Sequence, residues 1–132
     1  MSSYKDTPVR QIMMQDVRMV DPLASLASAA QVMLDMNITC LVVDLQDPSK
    51  GLGIITQKDV VGHLFDDLGE LESTTVADVM SQPTIGLAPE WSLETAVSMM
   101  RMLGIRRAPV LEQGRLVGLL SFTDVFRHAI SK

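Results

Sequence analysis

The sequence predicts an α/β (α+β) protein made of two tandem β-α-β-β-α repeats. Three observations predict it. The chain repeats itself: at an offset of 67, residues 9–43 lie over 76–110, and at an offset of 65, "GIITQKD" (53–59) lies over "GLLSFTD" (118–124). Each copy carries a serine, Ser25 or Ser92, directly before apolar residues at helical spacing. Each copy then runs through two short aliphatic stretches with strand composition.

The matches set the boundaries. Val9 meets Val76, Met13 meets Met80, Pro22 meets Pro89, Ala29 meets Ala96 and Met33 meets Met100. The first copy has two extra residues in "LQDPSKG", after which Asp59-Val60 meets Asp124-Val125 and His63 meets His128. The repeats therefore span 9–65 and 76–130. Between them "DDLGELESTT" (66–75) has four acidic residues and no basic one, as expected of a solvated linker.

Within each repeat the elements follow in order. An extended piece, "DVRMV" or "PTIGL", runs to Pro22 or Pro89. Ser25 or Ser92 then caps a helix whose buried stripe is Leu26, Ala29, Ala30, Met33 and Met36, or Leu93, Ala96, Val97, Met100 and Leu103. Two strands come next, "ITCLVVDL" and "GLGIIT" in one copy, "IRRAPVL" and "RLVGLLS" in the other. Gln113-Gly114 suits a hairpin turn in the second copy. Thr56 or Ser121 ends the last strand and opens the closing helix. A single unit of this size buries too little surface to be secure. Two copies packed sheet to sheet, close to two-fold symmetry, would share one core and create two equivalent clefts at the seam.

Composition narrows the function. With 11 basic and 16 acidic residues the formal charge is −5, which lacks the basic footprint of a nucleic-acid binder. One cysteine, Cys40, and two histidines make neither an internal disulfide nor a cysteine-rich zinc site. "MSSYKDTPVR" lacks the apolar core of a signal peptide, and no apolar run approaches the roughly 18 residues of a membrane span. The expectation is a cytoplasmic protein with no membrane partner.

The repeat order resembles the cystathionine-β-synthase (CBS) domain pair, or Bateman module. The resemblance rests on G-h-h-[ST]-x-x-D closing each copy and on "GIRRAPV" (104–110) in the second, and it covers about 9–130. It implies a regulatory module, not an enzyme, that needs no cofactor. Its ligands would be adenosine-containing: AMP, ADP, ATP or S-adenosylmethionine, held in the clefts between the repeats. It also implies a homodimer whose state is read by a separate, unknown effector protein. The alternative is a ligand-free dimerisation or interaction module that keeps the same fold.

The candidate site residues each carry two readings. Thr56 with Asp59, and Ser121 with Asp124, suit a helix start, where a hydroxyl caps the first turn and an acid meets the helix dipole. Inside this repeat the same carboxylates suit the two hydroxyls of a ribose, and the free N–H groups of the helix start suit a phosphate. Arg106 and Arg107, adjacent on a predicted strand, point to opposite faces. The resemblance places them at the cleft, against phosphate. The first copy has Thr39 and Cys40 there instead, with Lys58 on the helix surface nearby. The Arg-bearing cleft is therefore expected to prefer phosphorylated ligands. Val17 and Arg18 align with Thr84 and Ile85. By the resemblance, these four line an adenine pocket through their backbone.

Other features read as structure. His63 and His128 follow the motif aspartates by four residues, on the same helix face. They suit inherited helix surface better than metal binding or catalysis. "GLGIIT" is half of a dinucleotide fingerprint without its third glycine. The ten methionines suit core filling, some of them an adaptable dimer surface; Trp91 suits local packing and Cys40 a small buried apolar position.

Overall fold

The computed structural model describes residues 3–66, 69–82 and 85–131. After a 3-10 turn at Tyr4–Asp6 come α1 (Val9–Ile12), β1 (Met19–Val20), α2 (Leu26–Met36), β2 (Cys40–Asp44), β3 (Leu52–Thr56) and α3 (Gln57–Leu64). The second copy gives α4 (Val76–Val79), α5 (Leu93–Leu103), β4 (Arg107–Glu112), β5 (Arg115–Ser121) and α6 (Phe122–Ile130).

The long helices form where the sequence places them. Ser25 accepts the Ser28 N–H and Ser92 accepts the Thr95 N–H, each satisfying a donor that the helix cannot. Both helices stop on a left-handed residue, Asn37 (φ 54°) and Gly104 (φ 70°), whose N–H groups return to the last carbonyls. Leu26, Ala29 and Met33 are buried, as are Leu93, Ala96 and Met100. Met36 and Leu103, the last positions of each predicted stripe, are exposed, because the drift of the stripe over ten residues carries them past the core.

Strands β1 and β2 pair in parallel, and β2 pairs antiparallel with β3, Cys40 opposite Thr56. Strands β4 and β5 form an antiparallel hairpin, Arg107 opposite Ser121. Gln113 and Gly114 both have positive φ, the geometry of a type I′ turn. The second copy's counterpart of β1 is reduced to one parallel bridge, Leu87 to Val110. Strand β4 begins at Arg107, so Arg106 precedes the strand and the expected opposite-face alternation does not apply to it.

The chain divides into two compact units. A central unit spans Arg18–Gln82, and an outer unit joins Met1–Val17 to Pro83–Lys132. Each has its own core. Leu26, Leu41, Ile55 and Val76 are among the buried residues of the central one, and Val9, Leu93, Met100 and Leu120 of the outer one. The short helices α1 and α4, which the periodicity did not reveal, complete these cores with fully buried valines. Burying a valine side chain stabilises by about 1.5–3 kcal/mol, so neither short helix is decoration. Helix α1, from the first sequence repeat, lies in the outer unit with β4 and β5. Helix α4, from the second, lies in the central unit with β1, β2 and β3.

The methionines divide more evenly than expected. Met13, Met33 and Met100 are buried, whereas Met14, Met19, Met36 and Met102 are exposed. Cys40 is half-buried at the start of β2 rather than enclosed. Among the described residues no helix is long and apolar enough to cross a membrane.

Candidate functional site

The strand-to-helix junction is built the same way in both units. In the central unit β3 ends on Thr56 in an extended conformation. The Asp59 N–H donates to Thr56 Oγ1 at 3.1 Å, and the Thr56 N–H donates to Asp59 Oδ2 at 2.9 Å. This reciprocal capping box fixes the angle between strand and helix. The Gln57 N–H donates to the Thr39 carbonyl at 2.9 Å, and the Val42 N–H donates to the Arg18 carbonyl at 3.0 Å. Arg18, Thr39, Cys40, Thr56 and Asp59 are thereby held near one end of one small sheet.

In the outer unit, Asp124 Oδ2 accepts from the Ser121 N–H at 3.1 Å and from Ser121 Oγ at 2.8 Å. The Asp124 N–H donates back to Ser121 Oγ at 3.2 Å. The Phe122 N–H donates to the Arg106 carbonyl at 2.9 Å, the counterpart of the Gln57–Thr39 bond. Arg106 is exposed and Arg107 half-buried, and both sit beside the capped junction. Ile85 is partly buried against the outer core. Val17 belongs to the outer unit and Arg18 to the central one, so the chain passes between units at this pair. Thr84 lies outside the described residues.

Burial makes these junctions rigid. Thr56 is only 9% exposed, and Asp59, Ser121 and Asp124 are half-buried. Among the described residues no buried side-chain polar atom lacks a partner. The same capping box also occurs at Ser3/Asp6 and Thr75/Asp78. Capping alone therefore accounts for the bonds seen at Asp59 and Asp124. These two differ from the other pair in one respect: they recur at the offset of the repeat, each after a buried aliphatic strand. Residues 70 and 73, or 8 and 11, are not such pairs.

The motif glycines have a specific cause. A Cβ on Gly53 would fall 2.5 Å from the Met80 sulfur, and one on Gly118 would fall 2.5 Å from the Met13 sulfur. Each glycine seats a methionine that follows a short helix. The histidines are also engaged: His63 Nε2 lies 3.0 Å from Thr74 Oγ1, and His128 Nε2 lies 3.1 Å from Thr7 Oγ1. Sequence reasoning missed these threonines, although Thr7 and Thr74 stand 67 apart, in register with Val9 and Val76. Among the described residues no group of three or more metal-ligating side chains converges.

Fold and junction together define a tandem α/β repeat protein in which each repeat ends on the same capped strand–helix turn. The family model described as "CBS domain" matches residues 9–66 and 76–131, and the chain belongs to the CBS domain family. It is similar to the CBS domain-containing protein YhcV of Bacillus subtilis, 33% identical over 99% of this chain and 88% of that one. It is also 30% identical to the uncharacterized protein MJ1225 of Methanocaldococcus jannaschii, over 91% of this chain but only 42% of that one. Among solved structures it resembles the hexameric CBS-CP12 protein from bloom-forming cyanobacteria. There the TM-score is 0.85 at 25% identity, covering 94% of this chain and 72% of that one.

Proposed function

We propose that this chain is a regulatory sensor that binds adenosine-containing ligands, AMP, ADP, ATP or S-adenosylmethionine, at the capped junctions of α3 and α6. The observation that carries the reading is the duplicated pair of half-buried carboxylates at helix starts, in register with the repeat. In each box the capping bonds use Oδ2. Oδ1 is then the natural acceptor for ribose hydroxyls, and charge-assisted bonds of this kind are the strong ones. Arg106 and Arg107 flank only the Ser121–Asp124 junction, so that site is the one suited to phosphate. Val17, Arg18, Thr84 and Ile85 complete the reading as the segment that meets the base. No catalytic role is assigned to any residue. The chain acts by changing state on binding, in the cytoplasm, with an effector protein as its reader. Titration calorimetry with AMP, ATP and S-adenosylmethionine tests this. Absence of heat for all three at millimolar ligand overturns it.

A specific observation favours a second reading, a homodimerising interaction module. Large apolar side chains stand exposed on the closing helices or just beyond them. Phe65 is 86% exposed, Phe126 65% and Ile130 64%. Isolated exposed apolar residues are ordinary, but several on equivalent helices mark a surface that a second copy would cover. Sedimentation at tens of micromolar, with and without nucleotide, separates the readings. A ligand-independent dimer that binds none of the three ligands supports the second.

A further inference from the structure

The repeated strand–helix element does a second job. In each unit it grips a strap, residues 7–14 in the outer unit and 74–81 in the central one. The grips match one for one. One hold lies beside that element: the N–H groups of Val9 and Arg10 donate to the Trp91 and Pro89 carbonyls ahead of α5, as those of Val76 and Ala77 donate to Ala24 and Pro22 ahead of α2. Met14 exchanges both backbone bonds with Leu119 at 2.8 and 2.9 Å, as Ser81 does with Ile54 at 2.9 and 2.8 Å. Met13 sits on Gly118 and Met80 on Gly53. Thr7 meets His128, and Thr74 meets His63. The strap thus touches the strand just before the Ser/Thr of the motif and the helix one turn after its Asp.

We propose that each strap is the element that reports ligand occupancy: its docking is coupled to the site on the strand–helix element that it grips. The inference rests on the nucleotide reading above. The strap keeps its contacts to Gly118, Leu119 and His128 together only while strand and helix hold one mutual angle. A ligand bound to Ser121 and Asp124, between the two grips, restrains that same angle. Docked strap and bound ligand therefore favour one arrangement, and such coupling is reciprocal.

The two straps are not equally tied. Arg10 forms ion pairs with Glu90 and Glu112, all three side chains being open to water. The corresponding residues in the central unit are Ala77, Leu23 and Leu45. Salt screens exposed ion pairs. Rising ionic strength should therefore loosen the outer strap and leave the central one unchanged.

Hydrogen exchange on the full chain tests this at the amides of Val9, Arg10 and Met14 against those of Val76, Ala77 and Ser81. Gly118→Ala displaces Met13 and should speed the first set at least about tenfold without moving the second. Thr7→Val removes one hydrogen bond, is milder, and should speed the first set about fivefold. Saturating AMP should slow the first set by about five- to tenfold, the lower part of the usual coupling range. By reciprocity, AMP binds the docked strap more tightly than the released one by the factor by which AMP slows strap release, so Gly118→Ala should weaken AMP by up to that factor, reached only where the strap is fully released. Measured AMP binding with unchanged strap exchange overturns the coupling and leaves the nucleotide reading standing. Failure of AMP, ATP and S-adenosylmethionine to bind overturns both. Acceleration spread over the whole outer unit in both variants shows that the strap does not release on its own, and also overturns the proposal.

Discussion

The most informative perturbation is at Asp124, because its carboxylate holds a helix start and is the proposed ribose acceptor. The two roles separate by substitution. Asp124→Asn keeps an oxygen that can accept the Ser121 N–H, now 3.1 Å from Oδ2, but loses the charge and one acceptor. The fold should lose only the interaction of an acid with the helix dipole, about 0.3–1 kcal/mol. Asp124→Ala also loses the box and should cost about 0.5–2 kcal/mol. Ligand binding should lose more in both, because the ribose hydroxyls are proposed to meet Oδ1, the charged oxygen that the box leaves open. About 1.5–3 kcal/mol corresponds to one to two decades in Kd. Asp78→Ala is the control for the α6 junction: it removes an equivalent box at the start of α4, on the central strap, whose proposed coupling is to the Thr56–Asp59 junction and not to the Ser121–Asp124 one. Calorimetry with AMP gives the affinities, and chemical denaturation gives the stabilities. The expected pattern is comparable destabilisation in Asp78→Ala and Asp124→Ala, with AMP affinity reduced only at position 124. AMP affinity unchanged in Asp124→Ala, or reduced equally in Asp78→Ala, would refute the ribose role.

Asp59→Ala should weaken AMP less than Asp124→Ala, since Thr39 and Cys40 stand where the outer unit has Arg106 and Arg107; parallel calorimetry on the two variants checks this. Replacing both arginines by alanine should lower affinity for AMP and ATP, more so at low salt, while adenosine binding stays nearly constant; an equal loss for adenosine assigns the arginines to the fold. Gly53→Ala should destabilise the central unit by about 1–3 kcal/mol, because the new methyl meets the Met80 sulfur, whereas Gly62→Ala, with nothing within 4 Å, should not; urea unfolding compares them. Hydrogen bonds from Arg10 hold the Glu90 carboxyl below its ordinary range, so this tie contributes above the unfolded carboxyl value and is lost as pH falls through the lower folded one. The protection of the Val9 amide against exchange, taken relative to the intrinsic rate at each pH, should accordingly fall on acidification in that window, and more in the wild type than in Glu90→Gln, where Arg10 keeps only Glu112.

Much of the fold was legible because its signals are local. Ser25 and Ser92 cap the helices they precede, and Asn37 and Gly104 end them in the one conformation that asparagine and glycine tolerate best. The turn at Gln113-Gly114 required only two adjacent residues. What stayed hidden is non-local. Helices α1 and α4 have four residues each, too few for a 3.6-residue period to register. Nothing near Val9 states that its partners are Leu93 and Met100 rather than the residues that follow it. Burial of methionine was misjudged for a related reason. Met33 and Met36 share one helix, yet only the first falls on the buried stripe, and a flexible thioether is tolerated in either place. At the two junctions, the sequence paired residues that cap one another, Thr56 with Asp59 and Ser121 with Asp124. It did not show that their bonds to each other already account for one oxygen of each carboxylate.

The motif glycine illustrates how a short pattern can be misassigned. A glycine near a helix start invites a phosphate reading, since a bare backbone lets an anion approach. Here Gly53 and Gly118 lie within β3 and β5, among buried neighbours, and their missing side chains are replaced by Met80 and Met13. The histidine four residues after the motif aspartate answers to the same segment. A pattern that begins with a glycine and ends past an aspartate thus combines two recognitions. The glycine and histidine bind a piece of the chain itself, and the hydroxyl and carboxylate between them cap the helix and are the pair proposed to meet a ligand. Duplicating the element duplicates both, which is why Thr7, Val9 and Met13 recur as Thr74, Val76 and Met80 although the segments around them differ in charge. On the proposed reading, ligand specificity can then vary at the strand start, where the second copy has Arg106 and Arg107 for Thr39 and Cys40, without disturbing the packing that holds either unit together.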